Sequence, residues 1–203
     1  MGSTYALGYE GVELGTTNTQ WQSTLIAISF GYFVYDMVFM AVLGLLDRAM
    51  IIHHGLVIFG FYVVLTTGLA GGEIMSCMFS TEISNPFMHG RIILKSNGLR
   101  HTKIYERMEY TYMALYTYGR LFFGSRVVFD TWLSPCNVFV KICGTGLLVQ
   151  SYYYIFYMAA LLRTRYNERS ERKKKGVKLQ WFSVTKDLEK LDYTKRNTKM
   201  KIL

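Results

Sequence analysis

Proline is nearly absent from this chain, two residues in 203, and the three cysteines, Cys77, Cys136 and Cys143, form no Cys-x-x-Cys pair. The first scarcity leaves long stretches without a helix breaker. The second gives no metal or redox pair, and reduced, packed thiols are expected. Lysine and arginine are missing from residues 1–20, which carry Glu10 and Glu13, so neither a secretory signal nor a mitochondrial presequence is expected. No phosphate-binding glycine-rich loop, nucleophile elbow or repeated unit occurs, and His89 and His101 make no ligand spacing with each other. No metal site and no cofactor are expected.

What is abundant is apolar: 51% of the residues are hydrophobic and 16% aromatic. They cluster into runs of the length a helix needs to cross a bilayer, about 20 residues. Five such spans are expected, Thr24 to Leu46, Met50 to Ala70, Glu73 to Lys95, Met108 to Phe129 and Cys136 to Leu162. Pro86 is expected to bend the third. The chain therefore reads as an all-α, multi-pass transmembrane bundle in three parts: an N-terminal arm (1–23), the membrane domain (24–165) and a basic tail (166–203).

Ionisable groups inside the spans are expensive in hydrocarbon and so mark either function or paired structural contacts. Asp36 sits mid-span, and helical spacing sets Tyr32, Tyr35, Asp36 and Phe39 on one side, an aromatic and acidic stripe expected to pack inward, where tyrosine hydroxyls could satisfy the acid. His53 and His54 are adjacent, hence about 100° apart around a helix, so the pair cannot share one pocket as i, i+4 residues do. One of them is expected to meet Glu82 on the next helix. Two readings stay open for that contact: a buried hydrogen bond fixing helix register, or a general base. Arg120 needs a carboxylate or a water-filled cavity, with Asp36 and Glu82 as the available partners.

Three short stretches in order, Gly31-Tyr32-Phe33-x-Tyr35-Asp36, the pair His53-His54, and Glu82-x-Ser84-x-Pro86-Phe87-x-x-x-Arg91, give the region 24–165 a resemblance to the TLC domain. That domain is shared by ceramide synthases, translocating-chain-associated membrane proteins and less characterised lipid-homeostasis proteins. The resemblance implies a lipid groove and a buried polar set of Asp36, His53, His54, Glu82, Ser84, Asn85, Arg91 and Arg120. In ceramide synthases the two histidines are followed, one helix later, by two aspartates; here Glu82 and Asn85 stand in those places. Neutral Asn85 cannot repeat the second carboxylate's proton chemistry. His53, His54 and Glu82 are thus candidates for acyl transfer, while the expected role is a non-catalytic, lipid-binding accessory subunit of a larger membrane assembly, a mitochondrial respiratory complex being one setting and the endoplasmic reticulum the rival location.

Charge completes the reading. Residues 163–203 hold fourteen Lys and Arg against five Asp and Glu, the whole of the net +9. Arg169, Arg172, Lys173, Lys174 and Lys175 follow directly on the last span, a placement that attracts anionic lipid headgroups and makes nucleic acid an unneeded partner. Basic residues on the loops put the tail on the cytosolic or matrix side and the N-terminus opposite. Leu179, Trp181, Phe182, Val184 and Leu188 lend the tail an apolar component suited to a membrane surface or another membrane-protein subunit.

Overall fold

A threonine opens the first long helix of the computed structural model, which describes residues 14–191, apart from the side chains of residues 189 and 190. Thr19 Oγ1 accepts from Gln22 N–H at 3.2 Å and Gln22 Oε1 accepts from Thr19 N–H at 2.9 Å, a reciprocal cap that satisfies two orphan donors. The helix, α1, runs Gln20–Val42. Asp47 caps the next, α2 (Arg48–Thr67), by accepting from Met50 N–H at 2.7 Å. Residues 1–13 of the expected N-terminal arm and 192–203 of the expected tail lie outside the described residues.

The third expected span is two helices, α3 (Gly71–Glu82) and α4 (Asn85–Ser96), rather than one bent helix. Pro86 lacks the N–H that would have bonded the carbonyl of Glu82, so the ladder stops there, and a first-turn proline suits the restart. A 3-10 turn, Leu99–His101, leads to α5 (Lys103–Thr117), which passes without a break through a π-helical segment, Tyr118–Phe123, into α6 (Gly124–Leu133). The last helix, α7, covers Val138–Lys174 and so continues into the expected tail. Among the described residues the chain is all helical, save for one isolated bridge between Thr17 and Leu69. Among the described residues, three helices, α1, α2 and α7, are long and apolar enough to cross a membrane.

By compactness the chain divides into two units. Among the described residues, one unit comprises 14–83 and 116–153, the other 84–115 and 154–191. In the first, Ile26, Phe61, Val64, Ile74, Val140 and Leu147 form the core. Residues 16–19 strap α2 to α3: Asn18 N–H donates to Gly68 O at 2.8 Å, Ala70 N–H to Thr16 O at 3.1 Å, and Gly71 N–H to Asn18 Oδ1 at 2.7 Å. The strap also holds Ala70 at φ 70°, a left-handed conformation unfavourable for a residue with a Cβ.

The outward face of this unit is apolar. Ile26 is the one buried residue of α1, while Ile28, Val38 and Val42 are exposed. So are Tyr32, Tyr35 and Phe39, which corrects the expected inward stripe: only Asp36 of the four turns toward α2. In hydrocarbon nothing drives aromatic rings away from the surface, because lipid tails are as apolar as the core.

At the π segment, Gly119 meets α3 backbone. A Cβ on Gly119 would stand 2.6 Å from Ser80 O, which cannot yield without moving the helix. Gly119→Ala is therefore expected to cost about 1–3 kcal/mol, read as thermal stability in detergent. Gly31→Ala, with nothing within 4 Å, is the control and should change little.

In the second unit the chain doubles back after α7. Gly176 takes φ 68°, and Val177 N–H donates to Arg172 O at 3.1 Å, a left-handed helix stop. Val177, Leu179, Leu188 and Leu191 then make a small core, and Lys103 N–H donates to Gln180 O at 2.8 Å. Leu179 and Leu188 are thus spent inside the unit, whereas Trp181, Phe182 and Val184 stay exposed.

Candidate functional site

The histidine pair divides as its 100° spacing requires. His54, 5% exposed, turns toward α1: its Nε2 lies 2.9 Å from Asp36 Oδ2 and its Nδ1 3.1 Å from Met50 O. Both ring nitrogens thus have an oxygen partner, and Asp36 has the imidazole, which is how polar groups are tolerated within a span. Asp36 is thereby held by an imidazole, not by tyrosine hydroxyls. Phe33 packs edge-on against His54 with ring centroids 5.5 Å apart.

His53 faces the other way, onto a small cavity of about 50 Å³ inside the first unit. Its walls come from α1, α2, α3, α6 and α7 and are mostly apolar, Phe33, Val57, Phe61, Ile74 and Leu147 among them. Glu82 and Thr81 line the same cavity, so the expected association of His53 with Glu82 takes the form of a shared wall. Gln150 lies beside His53 and donates to Ala49 O at 2.8 Å.

Arg120, buried on the π segment, donates to Ser151 Oγ at 3.0 Å and to Thr81 O at 3.2 Å, and its guanidinium covers the Tyr116 ring at 5.1 Å. Asp36, one of its two expected partners, is instead committed to His54. The extra backbone residue of a π segment re-aims the side chains that follow. Here it brings Arg120 inward, toward α3 and α7.

Ser84, Asn85 and Arg91 belong to the second unit. Ser84 is fully buried, Asn85 opens α4, and Arg91 joins a cluster of charges. The centre of that cluster is Glu109 on α5, which sequence reasoning passed over. Glu109 accepts from Arg165 Nε at 2.5 Å and Nη2 at 3.1 Å, from Tyr105 OH at 3.0 Å and from Arg91 Nη1 at 3.3 Å. Arg165, Glu168 and Arg172 recur at i, i+3 and i+7 on one face of α7 and are all buried. Arg172 is bound to Glu106, so it turns inward, while Arg169, Lys173 and Lys174 remain exposed; Lys175 pairs with Glu171 at 3.3 Å.

A second acid escaped notice in the first unit. Glu73, in the first turn of α3, is 2% exposed and lines the cavity. The signal was present, since an acid within an apolar run is the same anomaly as Asp36.

The TLC domain matches residues 4–182 of the chain, most of its length. No solved structure matches it.

Proposed function

The chain belongs to the TLC domain family, a membrane protein in contact with lipid, and we propose on that premise that its first unit holds a lipid chain without catalysing acyl transfer, as an accessory subunit of a larger membrane assembly. The cavity carries this reading. It is apolar and walled by five helices, yet only one imidazole of the pair faces it, because His54 is spent on Asp36. A mitochondrial inner-membrane complex and the endoplasmic reticulum are the two settings, with the tail on the matrix or cytosolic side and Arg169, Lys173 and Lys174 toward anionic headgroups. A second reading, acyl transfer, draws on His53 and Glu82 sharing a wall.

Two measurements on purified full-length protein decide between them. Lipid extracted from native protein should be present in stoichiometric amount, and Gly144→Leu, which puts a branched side chain into the cavity wall, should lose most of it. An assay with acyl-CoA and a sphingoid base should show no turnover. Turnover that vanishes in His53→Ala would replace this reading with the enzymatic one.

A further inference from the structure

We propose that Trp181, Phe182 and Val184 dock an acidic segment of a partner protein through its apolar side chains, a proposal that rests on the assembly-subunit reading above. The three side chains are exposed, Phe182 at 72%, although the residues on either side of them are occupied in packing: Val177, Leu179 and Leu188 fill the small core of the second unit. Their backbone is fixed. Lys103 N–H donates to Gln180 O at 2.8 Å and Ile104 N–H to Trp181 O at 3.4 Å, while Thr185 Oγ1 donates to Lys178 O at 3.1 Å. Lys103 Nζ stands 5.6 Å from the centre of the Trp181 ring, and the Phe182 ring lies 6.4 Å from it. A single exposed apolar residue needs no explanation, but a contiguous patch led by a held tryptophan has the composition of a binding hot spot.

The membrane is the first candidate to cover this patch, and it lies too far away. Past Leu162 the α7 helix turns charged, with Arg163 and Arg165 in its next turn. Its ion pairs with α5 run away from that point, Arg165 to Glu109 and then Arg172 to Glu106. Lys103, beside Trp181, lies almost one more turn along α5 in the same direction. Ten residues separate Leu162 from Arg172, a rise of about 15 Å, or about 11 Å for a helix tilted by about 40°. Headgroups occupy only about 5–8 Å beyond the hydrocarbon on each face. Lysines act on anionic headgroups across about 8 Å of screened water, so Lys173 and Lys174 keep that role, but an aromatic ring gains only on contact. Charge then selects among proteins. Residues 173–188 carry five lysines and one acid, Asp187, and Lys103 adds a sixth cation beside the patch. Residues 192–203 have four Lys and Arg against one Asp, and a second copy would bring the same basic rim, so like charges oppose both. An acidic partner is the one that attraction favours.

The test uses full-length protein in nanodiscs of phosphatidylcholine and three short labelled peptides, followed by fluorescence anisotropy. One peptide intersperses glutamates with leucine and phenylalanine, one has lysine in place of glutamate, and one has serine in place of the apolar residues. The first is expected to bind, the second not, and the third at least about tenfold more weakly than the first, the effect that losing hot-spot side chains has. Trp181→Ala with Phe182→Ala should weaken the first peptide by a similar factor and, since both side chains are exposed, keep the fold. Lys103→Glu, Lys178→Glu and Lys186→Glu together should reverse the preference toward the lysine peptide, an outcome that a folding defect does not produce. In nanodiscs containing phosphatidylserine and brominated phosphatidylcholine, the emission that Trp181→Phe removes should be unquenched. Quenching would overturn the proposal in favour of a membrane-bound tail. Equal binding of the glutamate and lysine peptides, or binding of none of the three, would overturn it too. The assembly reading is measured separately, by the size of the native protein's complex in mild detergent. A large complex with no peptide bound removes the docking surface alone, and a lone chain that still binds the glutamate peptide removes the assembly reading alone.

Discussion

Glu109→Gln is expected to destabilise the second unit by about 3 kcal/mol, toward the lower part of the cost of breaking a buried charge pair. Glutamine keeps the volume of the side chain and removes its charge. Arg165, about as buried as Glu109 itself, would then lose two charge-assisted bonds and could meet an amide donor in place of an oxygen. Glu168, 2.8 Å from Arg165 Nη1, remains to compensate, which is why the upper end of the range is not expected. Arg91 matters less, because it is partly exposed. Limited proteolysis of the purified protein, followed at residues 84–115 and 154–191, reads the loss locally, and thermal unfolding reads its size. If Glu109→Gln unfolds within about 0.5 kcal/mol of the native protein, the cluster behaves as solvated surface pairs do and the argument fails.

Asp36→Leu is expected to cost about 2–3 kcal/mol, because it strands His54 Nε2 in a buried position without a partner. Asp36 is itself 30% exposed on its side chain, so most of the cost belongs to the histidine it leaves behind. His54→Phe in the same background should recover part of the loss: the ring volume is kept against Phe33 and the polar atom is gone. A double-mutant cycle across Asp36 and His54 isolates their coupling, and a coupling near zero would mean that the two groups are satisfied separately. His53→Ala, on the cavity side, should leave this coupling unchanged.

These two sites were not equally visible in the amino-acid sequence. Hydrophobic runs located the passes because apolar length is a property of composition, and the expected α1 start at Thr24 differs from the observed Gln20 by four residues. Even that error had a readable cure, since Thr19-x-x-Gln22 is the spacing of a reciprocal cap. Asp36 and His54 were each flagged, yet their pairing was not, because choosing among Glu82, tyrosine hydroxyls and Asp36 requires the rotation of each helix, and a chain of single residues carries no such angle. Glu73 opens the third expected span, and an acid in a first turn reads as a helix-end charge rather than a buried one. Glu109 falls on the second residue of the fourth expected span, near Arg107, where a charge reads as interfacial. The break at Glu82 was half legible: Pro86 announced a disturbance, and local backbone chemistry decided that it would be a full stop.

The strap of residues 14–19 bears on how the first unit is made. Gly15 and Glu73 are 58 residues apart, and Asn18 must likewise await Val64 and Gly71. During synthesis α1 therefore leaves the ribosome and reaches the bilayer while the segment ahead of it has no hydrogen-bond partners. Only when α3 follows can the strap close, joining the earliest described residues of the chain to a helix translated two passes later. Until that moment Glu73 lacks the Gly15 bond, so strap closure and the settling of this acid are one assembly event.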